Sequence, residues 1–159
     1  MFFTSLKRNI MLENNAIATI MTEEVLVVHP GDTLVKVQDI FQQNNIHHIP
    51  VVNAEREVVG ILSKSDYHLL CDHLTLFGRE WNLENNNRFF RSLLVEEVMT
   101  QQVAKLKKED SIYMAAAFFR ENLFHAIPIV DDENKLVGIV STYDLLTYAF
   151  RDAVPLLEK

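Results

Sequence analysis

Residues 21–70 return as residues 99–148 at a constant offset of 78, with no gap between the copies. Sixteen of those 50 positions are identical. The matches run along the whole length. Met21-Thr22 falls on Met99-Thr100, Val25 on Val103, Asp32 on Asp110, Phe41 on Phe119 and His47 on His125. Ile49-Pro50 falls on Ile127-Pro128, Val59-Gly60-Ile61 on Val137-Gly138-Ile139, Ser63 on Ser141 and Asp66 on Asp144. Unrelated segments share only a few identities, so the chain is an internal duplication. Two copies are too few for a solenoid. A pair burying its apolar faces on each other is the expected outcome.

Each copy reads as strand, helix, strand, strand, helix. In the first, Glu24 to Val28 is strand-like and His29-Pro30-Gly31 ends it. Asp32 or Thr33 is expected to cap a helix whose buried face is Leu34, Val37, Ile40 and Phe41. His48 to Val52 is a short apolar strand, and its Pro50 predicts an edge or a bend. Residues 53–56 turn the chain. Val58 to Leu62 then pairs antiparallel with the first strand across so short a turn. Ser63 or Ser65 caps the closing helix, with Leu69, Leu70, Leu74 and Phe77 as its apolar positions.

The repeats leave little else. Residues 1–15 read as an N-terminal arm or helix in which Phe2, Phe3, Leu6 and Ile10 are loosely helical in spacing. Repeat one occupies 16–77, a connector 78–92, repeat two 93–152 and a tail 153–159. The connector holds Asn85-Asn86-Asn87 as a loop, with Trp81, Phe89 and Phe90 as packing aromatics. A chain with 48% hydrophobic and 23% charged residues can bury a core. Its net charge of −7 argues against nucleic acid and anionic membrane as partners. The single cysteine, Cys71, cannot form an internal disulfide, which fits a reducing compartment. No signal-peptide pattern and no apolar run of about 18 to 20 residues occurs. A soluble cytoplasmic protein is the expectation.

The final strand of each copy runs into a helix through Gly-x-x-Ser-x-x-Asp. A helix N-terminus offers unpaired N–H groups and a positive dipole end, which suit a phosphate. Ser63, Ser65, Ser141 and Thr142 add hydroxyl donors there. Asp66 and Asp144 cannot help bind a phosphate, but a carboxylate accepts two hydrogen bonds from a vicinal diol such as ribose. The set suits a nucleoside phosphate. It suits plain helix capping equally well, since Ser, Thr and Asp are ordinary helix-start residues. A second cluster, His68, Cys71, Asp72 and His73, has helical i, i+3 and i+4 spacing but would need another ligand to hold a metal. Repeat two has Leu146, Ala149, Phe150 and Arg151 there, so no metal is expected.

The duplicated Met-Thr, His-x-x-Pro, Val-Gly-Ile and Ser-x-x-Asp elements resemble a tandem pair of CBS domains, or Bateman module, over about residues 16–150. The resemblance implies an α+β fold of two β-α-β-β-α repeats, packed through their sheets about a pseudo-twofold axis, with two clefts between them. It implies adenosine derivatives as ligands: AMP, ADP, ATP, S-adenosylmethionine, NAD or cyclic dinucleotides. On this resemblance Asp66 and Asp144 hold ribose hydroxyls, Ser63 and Ser141 match the hydroxyl residue three before, and Ser65 matches a phosphate-side serine. His47 and His48 match a His-Arg pair that reaches phosphates in energy-sensing members. Repeat two keeps His125 of that pair, and the strand entries near Val25 and Val103, with the segments Ile46 to Pro50 and Phe124 to Pro128, match the walls around adenine. The copies differ: repeat two has Ala126 for His48 and Tyr143 for Ser65. Histidine titrates near pH 6.5 and a bound phosphate favours its charged form, so affinity is expected to rise as pH falls from about 7.5 to 6.

No P-loop, Gly-x-Ser-x-Gly elbow or His-Glu-x-x-His occurs, and the repeats leave no room for a catalytic domain. The expected function is therefore a non-catalytic regulatory module. It would sense an adenine nucleotide without a required cofactor, as a homodimer acting on an unknown regulated protein. The alternative is a dimerisation or scaffold module with vestigial clefts, using Phe2, Phe3, Trp81, Phe89 and Phe90 as its contact surface.

Overall fold

The computed structural model of the chain describes residues 15–76, 88, 90–122 and 125–151, without the side chains of 72–76 and 122. It divides into two compact units. The first holds residues 25–103 and 133–136; the second holds the stretches up to 24, 104–132 and from 137 onward. The short opening segment of each repeat thus packs with the other repeat's strands. The exchange follows from two pairs of backbone bonds. Thr22 exchanges N–H···O bonds with Ile139 at 2.9 Å each, and Thr100 does the same with Ile61 at 3.0 Å each.

In the first unit, helix α1 (Leu34–Gln43) buries Leu34, Val37 and Phe41, the helical spacing expected of an amphipathic stripe. Ile40 packs on the same core. One of the two expected residues takes the cap position. Thr33 holds the N-cap position without a side-chain bond. Asp32 instead accepts the His29 N–H and the Lys36 ammonium, both at 2.7 Å. Burial opposes ionisation of Asp32, yet Lys36 and the His29 N–H outweigh it and hold the carboxyl below its ordinary range. At the other end, the Asn44 N–H and side-chain amide satisfy the Ile40 carbonyl, and Lys64 Nζ reaches the Phe41 carbonyl at 3.3 Å. A cation there also suits the negative end of the helix dipole.

Strand β1 (His48–Val52) pairs antiparallel with β2 (Val58–Ser63). The expected strand at 24–28 shrinks to a single parallel bridge, Val28 to Val51. Pro50 is the reason. The Val28 N–H bonds the Pro50 carbonyl at 3.2 Å and the Val52 N–H bonds the Val28 carbonyl at 2.9 Å. The next bond toward residue 26 would need a donor on residue 50, and proline has none. Pro50 therefore sits inside the sheet, buried, rather than at a bare edge. On the far side of β2, Thr100 completes the layer. Alternation along β2 buries Val58, Gly60 and Leu62. Helix α2 (Lys64–Leu76) follows without a break and turns Tyr67 into the core, between Phe41 and Phe90 with ring centroids 5.9 Å away on each side. Burial, and then the contact with Cys71, push the Tyr67 phenol above its ordinary range. Leu69, expected inside, is exposed, while Leu70 packs on the core. Tyr67 and Leu70 face inward three apart, so Leu69 falls on the opposite side. A short helix, α3 (Val95–Val98), ends the unit.

The second unit repeats the plan. A 3-10 turn (Ile17–Thr19) precedes β3 (Leu106–Lys107), α4 (Ile112–Asn122), β4 (Ala126–Val130), β5 (Leu136–Ser141) and α5 (Thr142–Phe150). The sheet order is β3-β4-β5. Strand β3 pairs parallel with β4 only from Ile129 onward, immediately past Pro128, the same proline effect as at Pro50. The core gathers Ile17, Leu106, Ala115, Phe119, Ile127, Ile129 and Val140. The architecture is α+β, as expected; repeat two is β-α-β-β-α, and in repeat one the opening strand is reduced to the Val28–Val51 bridge. Among the described residues, no helix is long and apolar enough to cross a membrane.

Candidate functional site

In both units an extended strand passes into a helix at a serine. Ser63 Oγ donates to Asp66 Oδ2 at 2.6 Å and accepts the Asp66 N–H at 3.0 Å. Ser141 repeats both contacts at 2.6 and 3.3 Å and adds a bond from its own N–H to Asp144 Oδ2 at 2.7 Å. These are reciprocal capping pairs. Capping is therefore real at both aspartates, and Ser63, not Ser65, makes the α2 cap. In these caps only Oδ2 of each carboxylate is engaged. A carboxylate has about four lone-pair sites, so Oδ1 stays available as an acceptor.

The histidines join these helix starts through the backbone. The Lys64 N–H donates to the His47 carbonyl at 2.8 Å, and the Thr142 N–H to the His125 carbonyl at 3.0 Å. His48 is paired opposite Ser63 across the hairpin. His47, His48, Ser63, Ser65 and Asp66 thus gather at one end of the first unit. His125, Ser141, Thr142 and Asp144 gather at the corresponding end of the second. His47, Ser65, Asp66 and His125 are exposed; His48, Ser63, Ser141, Thr142 and Asp144 are half-buried. Pro50 and Pro128 lie buried in their strands, two residues in from these ends. Val25 and Val103 are half-buried and both belong with the first unit.

Two exposed residues absent from the expected set lie beside it. Thr100 is hydrogen-bonded to Ile61, two residues before Ser63, and Thr22 to Ile139, two residues before Ser141. Their signal in the sequence is the duplicated Met-Thr, which marks a repeat opening but does not say which strand it docks on. Lys64 also lies at the helix start, but its ammonium turns to the Phe41 carbonyl and ring, 5.9 Å from the ring centroid.

The other candidates do not assemble. His68 is exposed and meets the Tyr67 ring edge-on at 5.6 Å, while Cys71 is half-buried. The side chains of Asp72 and His73 lie outside the described residues. Among the described residues, no group of three metal-capable side chains occurs. Phe90, expected on a contact surface, is only 7% exposed and belongs to the first core. Its packing against Tyr67 uses it up. Phe2, Phe3, Trp81 and Phe89 lie outside the described residues.

The family profile described as "CBS domain" matches residues 17–67 and 95–151. A curated relative, the uncharacterized protein MJ1225 of Methanocaldococcus jannaschii, is 29% identical over 140 residues, 86% of this chain and 48% of that protein. The chain thus spans about half the length of that relative. The structure resembles that of CBSX2 in complex with AMP at a TM-score of 0.71 and 20% identity, covering 86% of this chain and 97% of the other. It also resembles the CBS domain pair of protein MJ0100 in complex with 5′-methylthioadenosine and S-adenosyl-L-methionine. That match has a TM-score of 0.67 and 21% identity, over 84% of this chain and 98% of the other.

Proposed function

Because the chain belongs to the CBS domain family, we propose that it is a non-catalytic regulatory module. It binds an adenosine-containing ligand, AMP, ADP, ATP or S-adenosylmethionine, at the helix starts of α2 and α5. The observation that carries this reading is the one-sided use of Asp66 and Asp144. Each spends Oδ2 on its serine cap and keeps Oδ1 for a ribose hydroxyl. The adenosine ligands held by CBSX2 and by the MJ0100 pair support the ligand class.

In this reading Ser63, Ser65, His47 and His48 face the phosphates in the first unit. Ser141, Thr142 and His125 are their counterparts in the second. Val25, Val103 and Pro50 are the apolar residues near the first helix start and Pro128 that near the second, with Thr100 on the polar rim of the first and Thr22 on that of the second. The first unit is the stronger phosphate site, since Ala126 and Tyr143 replace His48 and Ser65 in the second. The module works as a cytoplasmic homodimer, and ligand binding shifts the population of two arrangements that a regulated protein reads.

A thermal-shift and calorimetry panel of AMP, ADP, ATP and S-adenosylmethionine tests this. At about one hundred times Kd, a ligand that binds only the native state adds roughly 2.7 kcal/mol of stability. Asp66→Asn is expected to weaken binding roughly tenfold or more, about 1.4 kcal/mol, with a smaller loss in Asp144→Asn. No shift with any of the four at millimolar concentration would overturn the reading in favour of a scaffold.

A further inference from the structure

The two helix starts share a histidine, a serine and an aspartate, and differ at every other position of the same short stretches. Residues 47–48 and 63–66 read His-His and Ser-Lys-Ser-Asp. Their counterparts, 125–126 and 141–144, read His-Ala and Ser-Thr-Tyr-Asp. Each set lies within one unit. The first start therefore sets Lys64 and two histidines against the carboxylate of Asp66. The second sets one histidine against that of Asp144, with no lysine or arginine in its stretches. Two of the three exchanges remove a basic group, and the third replaces a short hydroxyl by a ring.

Lys64 has a partner that a phosphate can displace. Its N–H bonds the His47 carbonyl at 2.8 Å, which fixes the backbone at the helix start. Its ammonium reaches a neutral acceptor, the Phe41 carbonyl, at 3.3 Å, and lies 5.9 Å from the Phe41 ring centroid. That bond is long for N–H···O. An anionic oxygen attracts an ammonium more strongly than a neutral carbonyl does. Thr142 has no charge to offer at the equivalent place. Tyr143 stands one residue before Asp144 in the first turn of α5 and is 74% exposed. Among the described residues, no ring or cation packs on it. The face of an aromatic ring attracts a cation and not an anion. A nucleotide whose ribose sits on Asp144 thus finds no lysine for its phosphates, whereas a sulfonium finds a ring face.

Resting on the reading that both aspartates hold a ribose, we propose that the two ends sort adenosine ligands by the charge of the 5′ substituent. The α2 end takes nucleoside phosphates and the α5 end takes a sulfonium-bearing adenosine, with Lys64 and Tyr143 as the deciding residues. The test is titration calorimetry of the full chain with ATP, S-adenosylmethionine and S-adenosylhomocysteine, which lacks only the sulfonium methyl and its charge. Asp66→Asn is expected to weaken ATP at least about fivefold more than S-adenosylmethionine, and Asp144→Asn the reverse. The order given above for the two aspartates thus holds for the phosphate ligands and reverses for the sulfonium. Lys64→Thr is expected to weaken ATP about fivefold more than S-adenosylmethionine. Tyr143→Ser is expected to remove a preference of about two- to fivefold for S-adenosylmethionine over S-adenosylhomocysteine. If both ligands bind and each aspartate substitution weakens them in equal proportion, the sorting is overturned while the ribose reading stands. A preference for the sulfonium that survives in Tyr143→Ser overturns the part given to that ring. If neither ligand binds, or neither substitution weakens either, the ribose reading fails and the sorting with it.

Discussion

Ser63–Asp66 and Ser141–Asp144 hold similar caps, the second with an added Ser141 N–H bond, but what stands around them differs more. His48 and Ser65 flank the first; Ala126 and Tyr143 flank the second. The same split runs through both units. Inside, the copies agree. Each has a proline that cuts short the parallel strand before it, a methionine laid on a glycine, an aspartate that ties the turn before its first helix, and one left-handed residue in its hairpin. Outside, they diverge. At the helix start repeat one has His48 and Ser65 where repeat two has Ala126 and Tyr143, while one turn further on repeat one exposes Leu69 where repeat two exposes Thr147. Shared positions therefore report the requirements of the fold. Positions that differ mark where the copies were free to diverge: a histidine and a serine beside the first cap, an alanine and a tyrosine beside the second.

The claim that the interiors are equivalent is open to a direct test. Ile49 and Ile127 occupy the same place in β1 and β4, and both are fully buried. Truncation to alanine removes buried methyl and methylene groups and leaves a cavity, which costs about 2 to 5 kcal/mol at such sites. Ile49→Ala and Ile127→Ala are each expected to lose about 3 kcal/mol in urea denaturation, equal within about 1 kcal/mol. A large loss for one and almost none for the other would show that only one copy carries the stability.

The glycine–methionine pairs give a finer comparison. A Cβ on Gly60 would lie 2.5 Å from Met99 Sδ and 3.2 Å from the Thr100 carbonyl; one on Gly138 would lie 2.8 Å from Met21 Sδ and 3.1 Å from the Thr22 carbonyl. Methionine is flexible and can yield, but the carbonyl is held by the strand bonds to Ile61 or Ile139. Gly60→Ala and Gly138→Ala are expected to cost about 1 to 3 kcal/mol each, equal within about 1 kcal/mol, because the fixed carbonyl stands at nearly the same distance in both. Adding Met99→Ala to Gly60→Ala should recover part of that loss. A double substitution no more stable than predicted from the singles would mean that the sulfur is not the obstacle.

Much of this frame is legible in the sequence because it is local and present twice. The helices follow from their apolar spacing, the hairpins from short turns between apolar runs, and the serine caps from Gly-x-x-Ser-x-x-Asp. The misreadings are where a residue's partner lies far away along the chain. Residues 24–28 have the composition of a strand, but their ladder depends on a donor that Pro50 lacks. Phe90 reads as a packing aromatic, but nothing local says that Tyr67 is what it packs on. The docking of Thr22 on β5 and of Thr100 on β2 joins segments more than 100 and about 40 residues apart, and no periodicity reports such a pairing. For the candidate site, duplication reveals which residues gather. Which ligand they take depends on groups that capping and binding use alike, and this is why the carboxylate's second oxygen matters.

The hairpin turns supply the smallest contrast. Arg56 and Asn134 are equivalent and both adopt positive φ, 68° and 64°. Asparagine tolerates this left-handed region better than arginine, because its short side chain can bond locally. Alone, that would make Arg56→Asn stabilising by several tenths of a kcal/mol. Arg56 has an offsetting contact, however: its Nε donates to the Leu136 carbonyl at 3.1 Å. A half-exposed hydrogen bond contributes about 0.5 to 1 kcal/mol. The two effects nearly cancel, so Arg56→Asn is expected to change stability by less than about 0.5 kcal/mol. Asn134→Arg puts the longer side chain at a positive φ and is expected to lose about 0.5 to 1 kcal/mol. Denaturant midpoints for the two substitutions measure the difference. A clear gain for Arg56→Asn would mean that the Nε bond contributes nothing, and that arginine at this turn is a feature of repeat one's surface rather than of its fold.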